Sequence, residues 1–113
     1  MRSNSVLFML LTPLLLMHSA FAVHEQCTAC HVYAQPQQQG ADLLSEVPVL
    51  CVDCHPDRVG PGEHKINIAP IKPVPQALPL VNGVISCTTC HDPHATTDSQ
   101  LRMPYDDLCT ACH

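Results

Sequence analysis

Tryptophan is absent from this 113-residue chain, and the aromatic residues are limited to two tyrosines and two phenylalanines. Both phenylalanines, Phe8 and Phe21, lie in the first fifth, so from Val23 onward Tyr33 and Tyr105 are the only aromatics and Met103 the only methionine. That is too little apolar material for an ordinary core, and small exported domains with this deficit are stapled by disulfides, a metal or another cofactor. Basic residues are equally scarce: from Val23 onward Arg58, Lys65, Lys72 and Arg102 face ten acidic residues, a net charge of 4 minus 10, or -6. Such a charge balance argues against nucleic acid as a partner. A long hydrophobic run is also missing. Val6 to Met17 is apolar but about 12 residues long and broken by Thr12 and Pro13, whereas a membrane-spanning helix needs roughly 20.

What the first fifth has instead is the pattern of a secretory signal: Arg2, the short apolar run, and Ala20-Phe21-Ala22 as the small-x-small cleavage site. Residues 1–22 are therefore expected to be a signal peptide and the mature protein to begin at Val23 in the periplasm, with the extracellular space or cell surface as the alternative. Cys27 lies beyond the cut, which argues against a lipoprotein.

The abundance is in cysteine and histidine. One five-residue word occurs four times: Cys27-Thr-Ala-Cys30-His31, Cys51-Val-Asp-Cys54-His55, Cys87-Thr-Thr-Cys90-His91 and Cys109-Thr-Ala-Cys112-His113. It uses all eight cysteines. Successive words start 24, 36 and 22 residues apart, which reads as a pair (23–58), a connector (59–86) and a second pair (87–113) within one compact unit.

C-x-x-C-H is the attachment signature of c-type haem. On a helical turn the two cysteines share a face and can form thioethers to the porphyrin, while the histidine after them supplies the proximal nitrogen to iron. Four-thiolate zinc sites or disulfides would also consume paired C-x-x-C words, but neither needs a histidine after every one. The expectation is four covalently bound c-type haems with His31, His55, His91 and His113 as proximal ligands. Each haem is a large apolar slab, so four of them replace the missing core.

Three histidines are left after the signal: His24, His64 and His94. Each lies close to a word and reads as a distal iron ligand. His24 and His94 are too tightly tethered to reach around the haem beside them, so exchange between neighbouring haems is expected. Three distal histidines cannot serve four irons. Met103, the Val23 amino group, His18 of a retained signal, a partner's side chain or an open position remain for the fourth. The last haem, at His113, is the one expected to be exposed or incompletely ligated.

The architecture expected is small, irregular and haem-packed, with short helical turns at the words and long coil between them. Gln35 to Gly40 reads as a polar loop and Ala41 to Glu46 as one or two helical turns. Pro61, Pro70, Pro73, Pro75 and Pro79 favour an extended connector. Leu80-Val81-Asn82-Gly83-Val84-Ile85 predicts a small β-hairpin. Thr96 to Gln100 reads as a surface loop, and Asp106-Asp107 as the cap of a last short helix.

The stretch from Leu80 through Cys87-Thr-Thr-Cys90-His91-Asp-Pro-His94, followed by Leu108-Cys109-Thr-Ala-Cys112-His113, resembles the doubled CXXCH motif of multihaem c-type cytochromes, the small tetrahaem cytochromes among them. The first pair, with His24 before it and His64 after it, looks like a more divergent copy. The resemblance implies mostly bis-histidine, low-potential haems packed for electron transfer in anaerobic-type respiration. It departs from the family pattern in lacking a fourth distal histidine.

The leading functional expectation is thus a periplasmic electron carrier and not an enzyme, its acidic surface docking with redox proteins that present basic faces. The alternatives are a membrane-anchored quinol-oxidising cytochrome if the signal is retained, a self-associating subunit of an extracellular haem filament, and a small reductase working at one open haem.

Overall fold

A computed structural model describes residues 23–36 and 42–113. The signal-like segment and most of the Gln35 to Gly40 loop fall outside that range. Three short α-helices carry the later words: α1 (Val49–Val52), α2 (Cys87–Cys90) and α3 (Tyr105–Cys112). Short 3-10 turns occupy Val23–Glu25, Cys27–Ala29, Pro56–Val59 and Asp98–Gln100. No strand is present among the described residues, and none of their helices is long and apolar enough to cross a membrane.

The core is as small as the composition requires. Leu78 and Ile85 are the only buried apolar residues among those described, at 2% and 7% exposure, joined by the polar Ser86, Thr89 and His31. Meanwhile Ile71, Tyr105, Tyr33, Leu44 and Val49 are left exposed by the polypeptide. At about 1.5–3 kcal/mol for each fully buried large apolar side chain, two such residues cannot hold a chain of this length in one conformation.

Local order comes from backbone pairing, and it repeats. In the first half the amide of Val32 donates to Asp42 O at 2.6 Å and that of Leu44 to Cys30 O at 2.8 Å, forming a bridge between His31 and Leu43. In the second half Asp92 N donates to Gln100 O at 2.8 Å and Arg102 N to Cys90 O at 2.9 Å, bridging His91 and Leu101. Asp42 and Gln100, in matching places, both have a positive φ, of 56° and 50°. From each bridging leucine to the first cysteine of the next word is eight residues, 43 to 51 and 101 to 109. The difference between the 24- and 22-residue spacings therefore lies wholly in the loop between a word and its bridge.

Three local expectations are corrected. Residues 42–46 are not helical, because Leu43 is committed to the bridge with His31; the helix begins at Val49. The hairpin over 80–85 is reduced to a tight turn. Val81 and Val84 exchange amide bonds of 3.0 and 3.1 Å around Asn82 and Gly83, both at positive φ, as the primed turn requires. Pairing goes no further, since Ile85 N donates to Ile68 O and accepts Asn67 N at its own carbonyl, both at 2.8 Å. Asp106 and Asp107 lie inside the first turn of α3, with Pro104 at the cap position, so they act on the helix by charge and not by a capping bond. Gln100 and its neighbours form a 3-10 turn within the expected 96–100 loop.

From Gly60 to Ser86 the connector contains no helix, and Pro70, Pro73, Pro75 and Pro79 keep it extended. It is anchored at Ile85 by the bonds to Asn67 and Ile68, and at its middle by Lys72, whose Nζ donates to His113 O at 2.8 Å.

Candidate haem sites

Every word closes by the same bond. The amide of the histidine donates to the carbonyl of the first cysteine at 2.8 Å (His31 to Cys27), 2.9 Å (His55 to Cys51), 3.0 Å (His91 to Cys87) and 2.9 Å (His113 to Cys109). This is one helical turn, and it places both cysteines on one side with the histidine at its end. The third word is the best supported: Thr89, 1% exposed, accepts Ser86 N–H on its Oγ1 at 2.9 Å and fixes the start of α2. Thr89→Val keeps the shape but leaves that buried amide without a partner. Denaturant titration is expected to show a loss of about 1–3 kcal/mol.

The words lie beside one another. Burial raises the Cys51 thiol to about 11, assisted by the Cys87 thiol, which shares a hydrogen bond with it, and by Cys30 and Cys54. Burial likewise raises the Cys90 thiol, with Cys112 adding to the effect and Arg102 opposing it. The second word thus touches the environments of the first and third, and the third that of the fourth. All eight cysteines are free.

The spare histidines are brought to the words, and none to its own. His24 faces His55 with ring centres 5.9 Å apart, His94 faces His31 at 6.1 Å, and His64 faces His113 at 6.1 Å. The interplanar angles are 53°, 16° and 71°. Imidazoles in direct contact come closer when parallel than when tilted, yet the spacing here does not follow the tilt. Two imidazoles sharing one metal ion would be held at a constant spacing of this order, since each metal–nitrogen distance is ~2 Å. Among the described residues no three His, Cys, Asp or Glu side chains converge as a metal cluster.

A cavity of about 400 Å³ marks one of these sites. Cys112 and His113 line it on one side, His64 on another, and Ile68, Ala69, Pro70, Ile71 and Ile85 supply apolar walls. With Glu63 and Lys65 completing the lining, one attachment cysteine, two imidazoles and mostly apolar walls fit what a covalent haem needs here. His64 Nδ1–H donates to Lys65 O at 3.1 Å, which makes Nε2 the nitrogen that could ligate a metal.

His91 is the exception. No imidazole of the described residues faces it; its Nδ1–H donates to Ser99 O at 2.8 Å. The histidine left over is therefore His91 and not His113, where the sequence had placed the deficiency. Met103 is half-buried on the turn into α3. Sequence reasoning also missed the Ser99 carbonyl, the Lys72 clasp on His113, and Arg102, whose Nε donates to Thr88 O at 2.7 Å while Nη1 lies 3.8 Å from Asp92. All three involve backbone acceptors, which residue type does not announce.

A family model for the doubled CXXCH motif matches residues 18–60 and 79–113, well over half of the chain. No curated protein and no solved structure is significantly similar to it. The matched words mark covalently bound c-type haem and electron transfer of the multihaem cytochrome kind. The chain belongs to the doubled CXXCH motif family.

Proposed function

We propose that this is an exported tetrahaem c-type cytochrome that carries electrons between redox partners in anaerobic-type respiration, in the periplasm. The observation that carries the reading is the set of three imidazole pairs at 5.9–6.1 Å, each matching a CXXCH histidine with a spare one. Cys27 and Cys30, Cys51 and Cys54, Cys87 and Cys90, and Cys109 and Cys112 hold the four haems. His24 with His55, His94 with His31 and His64 with His113 would hold three of the irons, and His91 would hold the remaining one. Words that adjoin in the order one, two, three, four support a chain of haems close enough to pass electrons.

Intact mass of the purified protein is the test: cleavage after Ala22 and four haem increments are expected, and a mass without haem would sink the reading. Docking follows from the charge of -6 from Val23 onward, which favours redox proteins with basic faces. Stopped-flow electron transfer to such a partner is expected to slow steadily as ionic strength rises. A rate indifferent to salt would remove the electrostatic part of the proposal.

A further inference from the structure

Resting on that four-haem reading, we infer that the haem of the third word, held by His91, has an open sixth position that takes a neutral diatomic ligand such as carbon monoxide or nitric oxide. Three of the four word histidines have an imidazole across from them at 5.9–6.1 Å; His91 has none among the described residues. It is nevertheless the most deliberately oriented of the four. Its Nδ1–H is held by Ser99 O at 2.8 Å, so Nε2 is the nitrogen left to bind iron. That carbonyl is aimed by two consecutive left-handed residues, Ser99 at φ 57° and Gln100 at φ 50°, and the Gln100 side chain fastens the loop to Pro93 O and Ala95 O at 3.2 and 3.3 Å. Non-glycine residues in this region carry a conformational cost, and such strain persists where the surroundings impose it.

Residues 100–102 ladder onto residues 90–92, and Met103 follows them, half-buried on the turn into α3. The nearest cation, Arg102, is occupied by Thr88 O and Asp92. With no uncommitted positive charge beside His91 in an acidic chain, a neutral ligand is favoured over an oxyanion.

The test is a carbon monoxide titration of the reduced, haem-loaded protein, read by difference spectra. One carbon monoxide per four haems is expected, together with one high-spin iron in four by electron paramagnetic resonance of the ferric protein. His24→Ala, His94→Ala and His64→Ala should each raise the count to two, because each opens a different haem. A count that stays at one in any of these variants identifies that haem as the one already open and overturns the assignment to His91. No binding at all also overturns it, and loss of a near-infrared methionine band in Met103→Ala would then name Met103 as the sixth ligand. Since intact mass fixes the haem number beforehand, four haems with no carbon monoxide defeats this inference alone, whereas fewer haems defeats the reading beneath it.

Discussion

Produced without haem attachment, the chain is expected to show no cooperative unfolding transition, while the haem-loaded protein shows one by calorimetry. The reason lies in Leu78 and Ile85, the only apolar side chains buried among the described residues. Fixing each residue costs about 1–2 kcal/mol in backbone entropy, and each buried large apolar side chain returns about 1.5–3 kcal/mol. The polypeptide alone therefore falls far short. Two of its exposed apolar residues, Ile71 at 94% exposure and Ile68 at 46%, line the cavity bounded by His64 and His113. Covering such surfaces with porphyrin would supply the missing burial. A sharp apoprotein transition of similar enthalpy would show that the side chains suffice.

The second large effect is expected from His94→Ala. His31, its counterpart, is the one buried word histidine, at 6% exposure, and the two rings are nearly parallel. His94 is presented by a turn in which its amide donates to Asp92 Oδ1 at 3.0 Å, and Asp92 is itself held by Gln100 O. The side chain thus reaches from the second half of the chain to the first. Removing it is expected to convert one low-spin haem to high spin and to raise its potential, by a fraction of the roughly 0.8 V that axial ligation spans. It should also lower the melting temperature, because a link between the halves goes with the ligand. Spectropotentiometry and thermal melts check both; four unshifted haem potentials would exclude His94 as a ligand.

What could be read from the sequence was local. Two cysteines and a histidine at fixed spacing close a helical turn wherever they occur, so all four words were legible. The connector's irregularity followed from its prolines, and the Asn82-Gly83 turn from its two positive-φ positions. What escaped were relations set by distant partners. The pattern Val81-Asn-Gly-Val84 gives no sign that Ile85 will pair with Ile68, nor do Leu43 and Leu44 betray that the bridge to His31 outcompetes a helix. The three spare histidines stood out by number, yet which word each would face depends on how the halves come together. For the same reason the deficiency was sought at His113, whose neighbours in sequence offer no second imidazole, while His64 arrives from 49 positions earlier, 113 minus 64. The repeated bridges give the shortage a location. His94 stands three residues after its word, and the matching place in the first half is Ala34, where a histidine would have completed the set.

The three imidazole pairs have one more property, visible when they are drawn as arcs over the sequence. The arc from 24 to 55 interlocks with the arc from 31 to 94, which interlocks with the arc from 64 to 113. Once iron joins each pair, every arc is a closed ring of chain, and the rings overlap like links. No single point in the polypeptide from His24 to His113 lies outside an arc. A protease that nicked the chain between Lys65 and Pro93 would leave the fragments clasped by coordination at His31/His94 and His64/His113. The haems would then act as cross-links that restrict the unfolded chain in the manner of disulfides, in a protein whose cysteines are all committed elsewhere.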